Sequence, residues 1–146
     1  MKAITICNPY PELIMRGDKR VENRNQNWFY RGQVLIHAGA SHKFLRLDPS
    51  GTMDKCGIPL AEMKFGFILG VADIVDCVRP IAYQNGATSA PIFGGLTCEK
   101  YPWLSTHPHA EGPYCLILDN VKRFRTPIPA RGMLGLWDFK GELPEL

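Results

Sequence analysis

The chain has 146 residues, 45% of them apolar and 21% charged, and a formal net charge of +3. That length suits one domain able to bury a continuous core without disulfides or metal, and no apolar run approaches the roughly 20 residues that a membrane-spanning helix needs. A charge of +3 is too small to mark a nucleic-acid binder by itself, so its placement matters more than its size.

Residues 3–7, Ala3-Ile4-Thr5-Ile6-Cys7, read as a first strand. Met1-Lys2 leads straight into it without the long apolar core of a signal peptide, so a cytoplasmic protein is expected. Asn8-Pro9 then supplies an N-cap residue followed by proline at the first helical position. Tyr10, Leu13, Ile14 and Gly17 fall at helical spacing, which predicts a short helix with that face inward, Glu12 and Arg16 outward, and Gly17 as its stop.

The helix stop runs into a polar strand over residues 20–24, on which Arg20, Glu22 and Arg24 share one face and Val21 is the only aliphatic residue. A polar strand face is solvated or lines a site. In an extended segment Glu22 and Arg24 can pair along the sheet and fix a guanidinium fork, with Lys19 at the corner over the same cleft. The charge excess surrounds this stretch: residues 12–48 hold seven Lys or Arg against four acids, while the remainder balances at ten and ten. Such placement points to an anionic partner.

Residues 26–32 join aromatic and polar side chains to a glycine turn, and residues 33–38 form the next strand. His37 lies in that mainly apolar strand and reads as a hydrogen-bonded core residue rather than a catalyst. Ser41 can cap a helix over residues 41–47 that Asp48-Pro49-Ser50-Gly51 breaks, and residues 58–63 allow one further helical turn. Residues 67–78 form the longest core strand, apolar on both faces. Asp73 and Asp76 interrupt it and suit strand-end turns, and Gly70 suits a bulge or a close backbone approach.

Residues 79–113, with five prolines and four glycines, read as a long loop whose Ile92, Phe93, Leu96 and Trp103 argue for packed order. His107 and His109 could pair on a metal, but a surface loop is the preferred reading, since no nearby acid or cysteine completes a set at convincing spacing. A buried strand at residues 114–118 follows, then a solvated basic run at 120–125, a turn at 127–132, and an alternating last strand at 134–139.

The five cysteines, 7, 56, 77, 98 and 115, include no pair at zinc-knuckle spacing. Cys7, Cys77 and Cys115 are expected to be small buried side chains, and Cys56 and Cys98 to lie in loops. No metal and no cofactor is expected. The elements together predict an α+β fold: a small, mixed, mostly antiparallel β-barrel, closed or partly closed, with short helices at its ends, in one domain over residues 1–146.

Asn8-Pro9-Tyr10, Gly17-x-Lys19-x-x-Glu22-x-Arg24, Tyr30-Arg31-Gly32 and Leu35-Ile36-His37-Ala38 occur in an order that resembles the ASCH domain family. Residues 70–77, Gly112-Pro113-Tyr114 and Arg131-Gly132-x-Leu134-Gly135-Leu136-Trp137 resemble its later segments. The resemblance implies a PUA-like barrel whose motif borders a cleft, and binding of RNA or another nucleic acid. Carried over residue by residue, the cleft holds Lys19, Glu22 and Arg24, with Tyr10 where many relatives have tryptophan.

In chemical terms Lys19 and Arg24 can hold phosphate or a carbonyl oxygen, Tyr10 or Trp28 can stack a base, and Glu22 can accept from a base edge or orient the cations. Arg31 completes this ligand-binding set. The expected partner is RNA or a nucleotide-like ligand, with no membrane. A second reading is a hydrolase, because some ASCH relatives resemble amidohydrolases of acetylated cytidine or are ribonucleases. Lys19 and Glu22 would then be catalytic, as oxyanion stabiliser and general base. This chain departs from the amidohydrolase pattern, since Glu22 stands where that subgroup has its nucleophilic threonine. A third reading is a protein-interaction module that uses the aromatics of residues 79–113.

Overall fold

A computed structural model describes residues 1–47, 56–84 and 90–145, and of residues 46 and 47 the backbone alone. The largely apolar run at the start of the chain forms β1 (Lys2–Ile6), and Gly17 ends α1 (Tyr10–Arg16) in the left-handed conformation, φ 84°. Its N–H reaches the Ile14 carbonyl at 3.0 Å, and the Asp18 N–H reaches that of Leu13 at 3.0 Å, which satisfies two last-turn carbonyls. After the short β2 (Val21–Arg24) come β3 (Gly32–Ala38) and α2 (Lys43–Leu47). Ser41 Oγ accepts from the Lys43 N–H at 3.1 Å, the expected cap; the breaker at 48–51 lies outside the described residues.

One 3₁₀ turn (Leu60–Glu62) precedes β4 (Phe67–Val78), whose bounds match the expected core strand. The stretch from 79 to 113 is not one loop. It holds a two-stranded ladder of β5 (Ala82–Tyr83) and β6 (Pro91–Ile92), then α3 (Gly95–Lys100) and a 3₁₀ turn (Leu104–Thr106). Phe93 is buried there and Trp103 half-buried, whereas Ile92 and Leu96 are exposed. The chain ends with β7 (Tyr114–Pro129) and β8 (Leu136–Asp138).

The strand order is β2-β7-β4-β3-β1-β8, with β1 parallel to β3 and antiparallel to β8, and β2 antiparallel to β7. The fold is thus mixed α+β, consistent with a PUA-like architecture, but the sheet is not closed: β2 and β8 are its edges. Both are short, four and three residues, and carry charged side chains. Short charged edges resist further strand pairing.

Two compact units emerge. The first comprises Met1–Lys19, Gln33–Asp73 and Asn120–Leu146, the second Arg20–Gly32 and Ile74–Asp119. Ala3, Leu35, Ile68, Val71, Phe124 and Trp137 form the core of the first, beside a smaller cluster of Leu13, Ile58 and Met63. Val21, Phe93, Leu104, Ala110, Cys115 and Ile117 form the core of the second. Each large aliphatic residue withdrawn from water in this way contributes roughly 1.5–3 kcal/mol.

Several local expectations are corrected. Asn8 does not cap α1; Pro9 occupies the N-cap, and Asn8 Nδ2 donates to the Lys64 carbonyl at 2.7 Å. Glu12 faces inward, because a partner comes from far along the chain: Arg123 grips its carboxylate through Nη1 at 3.1 Å and Nη2 at 2.6 Å. Burial pushes the Glu12 carboxyl up, yet the hydrogen bonds and charges of Arg123 and Arg16 outweigh it and hold the group below its ordinary value. The strand at 114 continues through the basic run and into the expected turn as far as Pro129, with Asn120 at φ 48° inside β7. Asparagine tolerates that conformation, so the strand does not end there. The last strand begins two residues late, after Gly135 at φ 66°, and leaves Leu134 exposed. Cys7 is exposed and Cys77 half-buried, Cys115 is buried as expected, and Cys98 lies in α3 rather than a loop.

His37 is the core histidine that the sequence implies. Nε2 donates to the Ala130 carbonyl at 2.7 Å, so Nδ1 accepts from the Thr5 hydroxyl at 3.2 Å, and Thr5 Oγ1 accepts from the Trp137 indole at 3.0 Å. Burial lowers the pKa of His37, partly opposed by the Ala130 bond. A histidine held neutral contributes stability that is present above its ordinary value of 6.5 and lost as pH falls through the lowered folded value. Urea midpoints are expected to fall between about pH 7 and about pH 5, and His37→Asn to flatten that fall while lowering stability at neutral pH. An unchanged slope in the variant assigns the acid sensitivity elsewhere.

Gly70 is the close approach that its place in β4 suggests: a Cβ there overlaps the Lys122 carbonyl oxygen and lies 2.9 Å from Arg123 Cα. Both obstacles are backbone of β7 and cannot turn aside. Gly70→Ala is expected to cost about 1–3 kcal/mol in denaturant unfolding; a variant as stable as the parent disproves the contact.

Candidate functional site

Once Gly17 reverses α1, the Lys19 N–H bonds to the Leu13 carbonyl at 3.2 Å, and this seats Lys19 with 3% exposure in the first unit. Its Nζ stands 5.3 Å from the centroid of the Tyr10 ring. Lys19 is therefore a buried side chain at the corner that follows α1. A lysine carried over an aromatic face inside a small core is a constrained charge.

In the second unit, β2 pairs with β7 in the register Val21↔Ile117, Glu22↔Leu116, Asn23↔Cys115 and Arg24↔Tyr114. Val21 enters the core. Strand alternation puts Glu22 and Arg24 together on the other face, where Glu22 is 8% exposed and Arg24 half-buried. The Arg24 guanidinium lies 5.1 Å from the Trp28 ring centroid. Arg20, just before the strand, lies 3.9 Å from the Trp103 ring, and its N–H donates to His107 Nε2 at 3.0 Å. That histidine nitrogen is accordingly an acceptor, and no cluster of three or more His, Cys, Asp or Glu able to hold a metal occurs among the described residues.

Asn23 is a structural residue that sequence reasoning misses. Its Oδ1 accepts from the backbone N–H of Glu111 at 3.1 Å and of Gly112 at 2.9 Å, and from Cys115 Sγ at 3.5 Å; its Nδ2 donates to the His109 carbonyl at 2.8 Å. One amide thus ties the motif strand to the segment that enters β7. The signal available was small: an asparagine between two charged residues on the core side of a strand is out of place unless all its polar atoms are engaged.

Asp76 departs from the expected strand-end turn. It stands within β4 and not at a turn. Its Oδ2 accepts from the Tyr101 hydroxyl at 2.7 Å and lies 3.5 Å from Lys100 Nζ, its Oδ1 accepts from the Cys77 N–H at 2.8 Å, and Arg31 Nη2 lies 3.7 Å from Oδ1. Burial raises the pKa of Asp76, but the Tyr101 and Cys77 hydrogen bonds and Lys100 prevail and lower it. On the partner, burial and the adjacent carboxylate push the Tyr101 phenol up to about 12. Arg31, so held, donates from Nη1 to the carbonyls of Trp28 at 2.7 Å and Tyr30 at 2.9 Å.

The six residues that the sequence assigns to a ligand therefore divide into two local groups. Tyr10 and Lys19 meet in the first unit; Arg24, Trp28 and Arg31 are linked in the second, which also contains Glu22. Within residues 79–113, the buried Phe93 is not available to a protein partner, and Trp103 carries Arg20 on its face.

A family model, that of the ASCH domain, matches residues 4–125. The chain belongs to the ASCH domain family. No curated protein matches this ASCH chain. The matched span contains the whole motif, every residue of the two groups above and the Asp76 cluster. No helix among the described residues is long and apolar enough to cross a membrane.

Asn23→Ala is expected to lower stability by about 2–3 kcal/mol, because four contacts go and two backbone N–H groups lose their acceptor. Amide hydrogen exchange checks the mechanism: protection at Glu111 and Gly112 should drop well before that in β3. Equal protection throughout would mean that Asn23 does not anchor the segment.

Proposed function

We propose that this ASCH domain, a single domain of the cytoplasm, binds RNA or a nucleotide-like ligand through Lys19, Glu22 and Arg24, with Tyr10, Trp28 and Arg31 in support. The observation that carries the reading is that two motif cations stand at aromatic faces, Lys19 at Tyr10 and Arg24 at Trp28, 5.3 and 5.1 Å from the ring centroids. A cation on a ring is ordered before any ligand arrives, so less side-chain entropy is lost on binding. An ammonium or guanidinium can donate to phosphate oxygens, while the rings suit bases.

The buried carboxylate of Glu22 fits a reader of base edges. It can accept from an exocyclic amine, which a phosphate-binding cation cannot do. Chain-wide charge supports the same partner, since the whole +3 excess falls within residues 12–48. Ligand association then releases counterions from phosphate, and affinity falls with salt.

The test is anisotropy of a labelled single-stranded RNA across a salt series. Arg24→Gln and Lys19→Met should each weaken binding roughly five- to tenfold and reduce the salt slope by about one. Circular dichroism of each variant checks that the fold is retained. Folded variants that bind with unchanged affinity and slope rule the reading out. Turnover of acetylcytidine or RNA by the parent, lost on Glu22→Gln, would put hydrolysis in its place.

A further inference from the structure

The second unit holds an aromatic side chain that the motif does not include. Phe29 is 86% exposed, between the half-buried Trp28 and Tyr30. Burial of such a ring is ordinarily favourable, and a polar residue would serve a solvated loop better. Its neighbours explain why it stays out. Arg31 Nη1 donates to the carbonyl before Phe29, that of Trp28, and to the carbonyl after it, that of Tyr30, at 2.7 and 2.9 Å.

The carbonyls of Trp28 and Tyr30 are thus turned toward one guanidinium, whose Nη2 lies 3.7 Å from Asp76 Oδ1. Asp76 is itself fixed by Tyr101 and by the Cys77 N–H. Trp28 is drawn to Arg24. The backbone at Phe29 is therefore braced on both sides, and the ring between the braces is presented to solvent.

We propose that Phe29 is a stacking platform for an unpaired base of single-stranded RNA, held outward by the Arg31 bracket and its Asp76 support. This rests on the RNA-binding reading above and adds a contact that the family motif does not contain. Charge selects the occupant: in this unit residues 20–32 carry Arg20, Arg24 and Arg31 against Glu22 alone. Asn25, Gln26 and Asn27, all exposed, add amides that can pair with base edges. A bare ring beside cations and exposed amides matches a base and its phosphate, whereas an apolar protein surface would leave those groups desolvated.

The experiment uses the full chain and a single-stranded RNA oligonucleotide carrying a fluorescent purine analogue, read by anisotropy and by quenching of the analogue. Because Phe29 is exposed, Phe29→Ala should fold normally. It is expected to bind roughly tenfold more weakly, to lose the quenching, and to keep the salt slope of the parent. Phe29→Trp should restore both affinity and quenching. If the parent binds and Phe29→Ala matches it in affinity and quenching, this inference fails while the Lys19 and Arg24 reading stands. A parent that binds no RNA overturns both.

Discussion

The site chemistry of this protein hangs on the register of β2 against β7. A strand exposes alternate residues to opposite faces, so a slip of one position would exchange Val21 and Asn23 with Glu22 and Arg24. The apolar interior of the second unit resists that exchange. Val21 is fully buried among Phe93, Leu104, Cys115 and Ile117, where a carboxylate or guanidinium would lose its hydration. Asn23 adds direction to this preference, because its four contacts to His109, Glu111, Gly112 and Cys115 can form in one alignment only. Hydrophobic burial and one saturated amide together decide which side chains of the motif lie on the face away from that core.

Charge is handled in the same economical way elsewhere. Glu12 could not remain buried without the bidentate grip of Arg123, and the lowered pKa of its carboxyl records that the grip outweighs desolvation. Asp76 repeats the arrangement in the second unit with a phenol, a backbone N–H and two cations. What differs is the outcome. Arg123 fastens α1 to β7, whereas Arg31 passes its restraint on to the backbone on either side of an exposed ring. Under the stacking proposal that ion pair lowers the cost of binding, since a loop already ordered loses little further entropy when a ligand stacks on it.

Much of this was legible beforehand. β1, α1 with its glycine stop, β3, β4 and the core role of His37 follow from periodicity, from Gly17 and from the low cost of burying a neutral imidazole that has partners. Gly70 was legible as a backbone approach because a glycine in an otherwise apolar strand has few other reasons to be there. The length of β7 was not. Its second half is polar, and the ladder that keeps it extended is made with strands distant in sequence. Helix α3 escaped notice because prolines and glycines surround it, and the core that fixes its position is assembled from both ends of the second unit.

The sequence by itself determined the family, the mixed α+β class, the motif and the aromatic and basic character of residues 10–31, because those are properties of residue type and near spacing. Tertiary structure alone decided that the sheet stays open, that Lys19 and Glu22 are buried, that Glu12 turns inward, and that Arg31 brackets Phe29. The reason is common to all four. Each depends on a partner that lies far along the chain or on which face a side chain takes, and desolvation makes the choice only once the partners have met.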